Sequence, residues 1–246
     1  MRLPKKITPD NIREAVVEVK FESDSSSELF PGIIYEAFDA SYTYTNRPLK
    51  PAPQNLASPR QELRIQINTQ SLLYNDKIII QIIPNAFIFT CLSKYVGWSE
   101  YKLEIEKALN IIEKTKRVQI WTRVGIRYIS EYPQKDLRDC TKFQFSFGLP
   151  ETASEMVAFK SEFSYKEAKV ILNLNNHLPL IVQKKEANRF DIIPTSLIDI
   201  DVIKVISNLK DIQELLKVLE DVHILEKELY FGLLREDFLE TLHPEY

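Results

Sequence analysis

Histidine, glycine and cysteine are scarce in this chain, at three, five and two of 246 residues, and each shortage removes a class of chemistry. The histidines, His177, His223 and His243, form no pair at metal-ligand spacing. Gly32, Gly97, Gly125, Gly148 and Gly232 are scattered, whereas phosphate-cradling loops need clustered glycines so that backbone N–H groups can approach the ligand. No GxSxG elbow is present, and Ser25 to Ser27 has the composition of a turn. Cys91 and Cys140 belong to no CxxC or Cys/His cluster, which argues against a disulfide framework and a zinc site and suits two reduced thiols in the cytoplasm. Long apolar runs are missing too. Ile78 to Ile83 is far too short to span a bilayer, and the opening residues Met1 to Asn11 lack the apolar region of a signal peptide. The expectation is a cytoplasmic protein with no membrane contact and no cofactor.

What is present is an ordinary globular balance, 44% hydrophobic and 27% charged, sufficient for one large domain or two lobes. A formal net charge of -3 supplies no global field favouring nucleic acid or an anionic membrane, so basic function would have to be local.

Periodicity gives the elements. Val17, Val19 and Phe21 alternate with charged residues in a strand over 15–21, and Leu29, Phe30, Ile33, Ile34, Ala37 and Phe38 recur at helical spacing after the serine turn. Four prolines and no glycine over 43–60 predict an extended loop. Strands follow at 63–67, 77–83 and 87–92, and a helix over 98–116 carries Tyr101, Ile105, Ala108, Leu109 and Ile112 on one stripe. The second half offers a long strand over 118–130, alternating runs at 143–147, 157–165 and 170–174, a strand or strand pair within 190–205, and a helix over 208–242 with Asn208 as its cap.

The two halves repeat one theme. The predicted fold is α+β, with two tandem antiparallel sheets each covered by a long helix, in the manner of helix-grip or TATA-binding-protein-like pseudo-repeats. Residues 1–117 form the first lobe and 118–246 the second, because a meander with one apolar face must be covered.

Three groups of residues are candidates for binding. Trp121, Arg123 and Arg127, at even spacing on one strand, would share a face where guanidinium groups beside an indole take a phosphate, a carboxylate or a stacked base. The competing reading is a cross-strand ion-pair network with Asp199, Asp201 or Glu131. Asp199 and Asp201 share a face and are the weak candidates for a cation, but no third ligand stands at local spacing, so no metal is expected. On the C-terminal helix, Tyr230, Phe231 and Leu234, with Val218 and Ile224, widen the apolar stripe beyond a single contact; they would meet a partner or the other lobe.

Trp98 and Tyr101 opening a helix, Gly125-Ile126-Arg127-Tyr128-Ile129, Leu197-Ile198-Asp199-Ile200-Asp201, and a closing helix with His223, Phe231 and Phe238 before Leu242-His243-Pro244-Glu245 resemble a sporadically distributed family of uncharacterised bacterial proteins of about this length. The family usually has asparagine where Ser130 stands, and its Pro-Pro-Ile-Glu-Ala opening is reduced here to Ile12, Glu14 and Ala15. The resemblance implies patchy bacterial occurrence, as on mobile or defence islands, and carries over no catalytic residue. Together these readings favour a non-enzymatic accessory, immunity or antitoxin-like subunit that binds a protein partner or a second copy. The alternative is an anionic-ligand or nucleic-acid binder on the Trp121/Arg123/Arg127 face, with metal-assisted phosphodiester chemistry.

Overall fold

The computed structural model describes residues 2–26, 28–45, 71–83, 85–92, 94–144, 156–184 and 189–246. The strand expected at 63–67, most of the proline-rich loop, and Phe145 and Phe147 lie outside them.

In chain order the elements are β1 (Ile12–Glu22), α1 (Phe30–Ala37), β2 (Thr43–Thr45), β3 (Ser71–Tyr74), β4 (Ile78–Ile83), β5 (Ala86–Cys91), α2 (Trp98–Lys114), β6 (Ile120–Pro133), α3 (Leu137–Cys140), β7 (Val157–Tyr165), β8 (Ala168–Lys184), β9 (Arg189–Leu209), α4 (Ile212–Leu233) and α5 (Glu236–Glu240). The strands form one antiparallel sheet in the order β2-β3-β4-β5-β1-β6-β9-β8-β7.

This corrects the expectation of two separate sheets. Each half does build its own meander, but β1 has two edges and uses both: Val17 lies opposite Phe89 of β5 on one side and Ile126 of β6 on the other. The first strands of the two halves therefore zip the meanders together. In the strand order β6 stands beside β9-β8-β7 and β1 beside β5-β4-β3-β2, and α2 and α4 follow β5 and β9 in the chain.

Register aligns one apolar row across all nine strands: Tyr44, Leu73, Ile80, Phe89, Val17, Ile126, Val202, Val170 and Phe163. Residues two apart on each strand share this face, so rows above and below are apolar as well. The helices bury into it. Tyr101 of α2 is fully enclosed, and its hydroxyl donates to the Phe89 carbonyl at 2.7 Å, fixing α2 over β5 and β1. Leu215, Leu219 and Val222 of α4 lie over β6 and β9 within the same continuous core. Phe30 of α1 stacks on Phe21 at 5.0 Å.

The predicted C-terminal helix over 208–242 is shorter and broken. Asp211, not Asn208, caps it, its Oδ1 accepting from the Gln213 and Glu214 N–H groups at 2.6 and 3.0 Å. It stops at Leu233, where Lys142 N–H donates to the Leu233 carbonyl at 2.8 Å and Arg235 N–H to the Cys140 carbonyl at 3.1 Å. This corner between α3, α4 and α5 encloses Tyr230, Phe231 and Leu234, all buried. The chain itself thus covers these three residues, while Ile224, also part of the extra apolar width, is 41% exposed.

Candidate functional site

Three places concentrate polar or exposed apolar groups: the face of the sheet that, among the described residues, no helix covers (the helix-free face), a buried polar cluster beneath α4, and a cleft at the outer side of the second half.

On the helix-free face, a bulge decides what the arginines meet. Trp121 pairs with Phe21 while Arg123 pairs with Lys20, so Thr122 is an extra residue in β6 and side chains before it change face. Trp121 therefore turns into the core, edge-on to Phe21 at 6.2 Å and 1% exposed. Spacing alone placed it with Arg123 and Arg127; the bulge separates them.

The arginines are engaged. Arg127 Nε and Nη2 donate to Asp199 Oδ1 and Oδ2, both at 2.7 Å, and Asn173 Nδ2 donates to the same carboxylate at 3.2 Å. That pairing raises the Arg127 pKa further. Arg123 Nη2 lies 3.2 Å from Glu18 Oε1, while Glu131 pairs with Arg13 at 3.1 Å. Asp201 is half-buried beside them, and loss of solvent pushes its carboxyl up to about 6 despite the two guanidinium groups. Three carboxyls thus face two arginines, which leaves no excess positive charge for an anion. Asp199 is committed to Arg127, and among the described residues no three acidic, histidine or cysteine groups gather for a metal.

Beneath α4, His223 stacks on Trp98 with ring centroids 3.9 Å apart, and its Nδ1 lies 3.4 Å from the Tyr128 hydroxyl, which in turn is 3.3 Å from that of Tyr95. Burial, then Lys227, lower the His223 pKa to about 3, holding the ring neutral. One turn later Glu226 is enclosed, and desolvation raises its carboxyl to about 8. The Tyr132 and Tyr230 hydroxyls bond to each other nearby. Tyr95 and Trp98 at its margin are half-buried, and the cluster ties β6, α2 and α4 together. His177, at the bulge of β8 with φ 51°, places Nε2 3.8 Å from Asp136 Oδ2.

The cleft lies between α4 and the β7–β8 hairpin and encloses about 290 Å³. α4 crosses β6 and β9, and the sheet extends beyond it through β8 and β7. Val170, Leu172 and Ile200 form the floor, Leu229 and Leu233 the helix wall, and Phe163 and Tyr165 the outer wall. A polar rim closes one side, where Glu228 accepts from Lys166 Nζ at 2.6 Å and from the Tyr165 hydroxyl at 3.2 Å. Phe163 and Phe159 are 37% and 36% exposed, and Met156 60%. Phe159 packs against Phe143, with ring centroids 4.6 Å apart.

Of the residues singled out from sequence, the structure joins Arg127 to Asp199 and sets Arg123 and Asp201 beside them, but buries Trp121, Tyr230, Phe231 and Leu234. Leu229 and Leu233, the helical neighbours one step round from those named, are half-buried and line the cleft, and Phe159 and Phe163 on β7 are about a third exposed. The signal for them was the aromatic alternation of 157–165 on what proves to be an edge strand. No protein-family model and no curated protein matches this sequence.

Proposed function

We propose that this chain is a non-enzymatic protein-binding subunit, of the bacterial accessory, immunity or antitoxin-like kind, which receives an amphipathic helix of a partner protein in the cleft between α4 and the β7–β8 hairpin. The observation that carries this reading is the cleft itself: among the described residues the helix layer of the second half ends at α4, while the sheet continues through β8 and β7. Packed helices in one layer sit about 8–10 Å apart, so a helix laid beside α4 would cover Val170, Leu172 and Phe163 and complete the layer. Its apolar stripe would meet Leu229 and Leu233, and its polar side would meet the Glu228–Lys166 rim. The anionic-ligand reading is the weaker one on this geometry, because a ligand would have to displace Asp199 from a bidentate pair and Glu18 from Arg123.

Co-purification from a native bacterial host, followed by reconstitution with the identified partner, tests the proposal. Wild type should retain a stoichiometric protein; Leu229→Asp and Leu233→Asp should lose it with circular dichroism unchanged, and Arg123→Gln/Arg127→Gln should keep it. Retention by both cleft variants, or a nucleic-acid absorbance excess lost in the arginine variant, would overturn it.

A further inference from the structure

We propose that two copies of this chain join through the outer edge of β7, extending the nine-stranded sheet across a two-fold axis at Ser161. Among the described residues β7 is the last strand of the sheet, and no strand pairs with its outer side. Edge strands are commonly guarded against pairing by proline, a bulge or charged side chains, lysine above all; β7 carries Lys160, but its charge is matched by Glu162 two residues on. Val157–Tyr165, VAFKSEFSY, has neither proline nor glycine and pairs with β8 without a bulge.

Its sequence is self-complementary instead. Antiparallel pairing about Ser161 sets residue 160 opposite residue 162 of the second copy and residue 159 opposite residue 163. Lys160 then meets Glu162 twice, and Phe159 meets Phe163 twice, while Ala158 lies opposite Ser164 and Val157 opposite Tyr165. The partition between faces is also right. Phe163 lies in the apolar row with Val170, so the aromatic pairs fall on the helix side. Glu162 lies opposite Ile171, in the row of Asp201 and Arg127, so the ion pairs fall on the helix-free side. Within one copy Lys160 and Glu162 stand 3.2 Å apart, with Lys169 2.7 Å from Glu162, all three substantially exposed and available to a second chain. A register shifted by one residue breaks every one of these matches. Phe163 borders the cleft, whereas Lys160 and Glu162 lie on the opposite face, and the pairing sets two clefts on the same side of a continuous sheet.

Sedimentation and light scattering of the full chain test it by charge reversal. Wild type should have twice the 28.7 kDa chain mass. Lys160→Glu and Glu162→Lys should each run at the single-chain mass, because each sets like charges opposite one another. Mixing the two variants should restore the doubled mass as a one-to-one heterodimer, and Lys160→Glu/Glu162→Lys in one chain should restore it as well. A wild type that stays at the single-chain mass up to its solubility limit, or single variants whose mass does not change, would overturn the proposal. The substituted residues face away from the cleft, so either result leaves the partner-binding test independent.

Discussion

Arg127 and Asp199, on neighbouring strands β6 and β9, meet as a two-pronged pair, with Nε–Oδ1 and Nη2–Oδ2 both 2.7 Å. The carboxylate side is the more enclosed, at 10% exposure against 25% for the arginine. Removing the cation therefore strands a nearly buried charge. Arg127→Gln should cost about 2–3 kcal/mol in urea unfolding, below the 3–5 kcal/mol of a fully buried broken pair. Arg127→Gln/Asp199→Asn should recover part of that loss, as the coupling in a double-mutant cycle reports.

Leu219 of α4 is fully buried over the sheet. Leu219→Ala should cost about 2–5 kcal/mol through lost transfer energy and the cavity left behind. An unchanged denaturation midpoint would mean that α4 does not seal the core.

The buried Glu226 and His223 predict a pH dependence. Glu226 has a folded-state pKa raised from 4.5 to about 8, so the fold favours the protonated carboxyl. Its contribution to stability is fully present below pH 4.5 and is lost as pH rises through 8. Glu226→Gln should match wild type near pH 4.5 and exceed it in melting temperature at pH 9. His223 acts in the opposite sense: its pKa is lowered to about 3, so stability is lost as pH falls from 6.5 towards 3. That acid-side loss should persist in the Glu226→Gln variant.

Local periodicity was enough to locate most elements. The stripe Tyr101, Ile105, Ala108, Leu109 and Ile112 appears intact as the buried face of α2, and the alternation at 157–165 is β7. What periodicity could not carry was long-range. Whether β1 ends a sheet or bridges two depends on its second edge, which its side-chain alternation does not encode. Trp121 went astray because one extra residue, Thr122, reverses facing, and nothing in the strand's composition marks it. Tyr230, Phe231 and Leu234 stand outside the main stripe of the helix, and their partners are far off in sequence: the Tyr230 hydroxyl bonds to that of Tyr132, and Leu234 bridges to Thr141. The ion pairing of Arg127 with Asp199 was among the alternatives open from the start, since both stood at regular positions on strands of opposite charge.

The central claim, that protein partners enter at the α4/β7–β8 cleft, is tested most directly by photo-crosslinking in the native host. A benzophenone residue placed at Leu233, on the cleft wall, should give one discrete protein adduct. The same residue at Val205, on the helix-free face and 76% exposed, should give none. Adducts from position 205 and none from 233 would contradict the account.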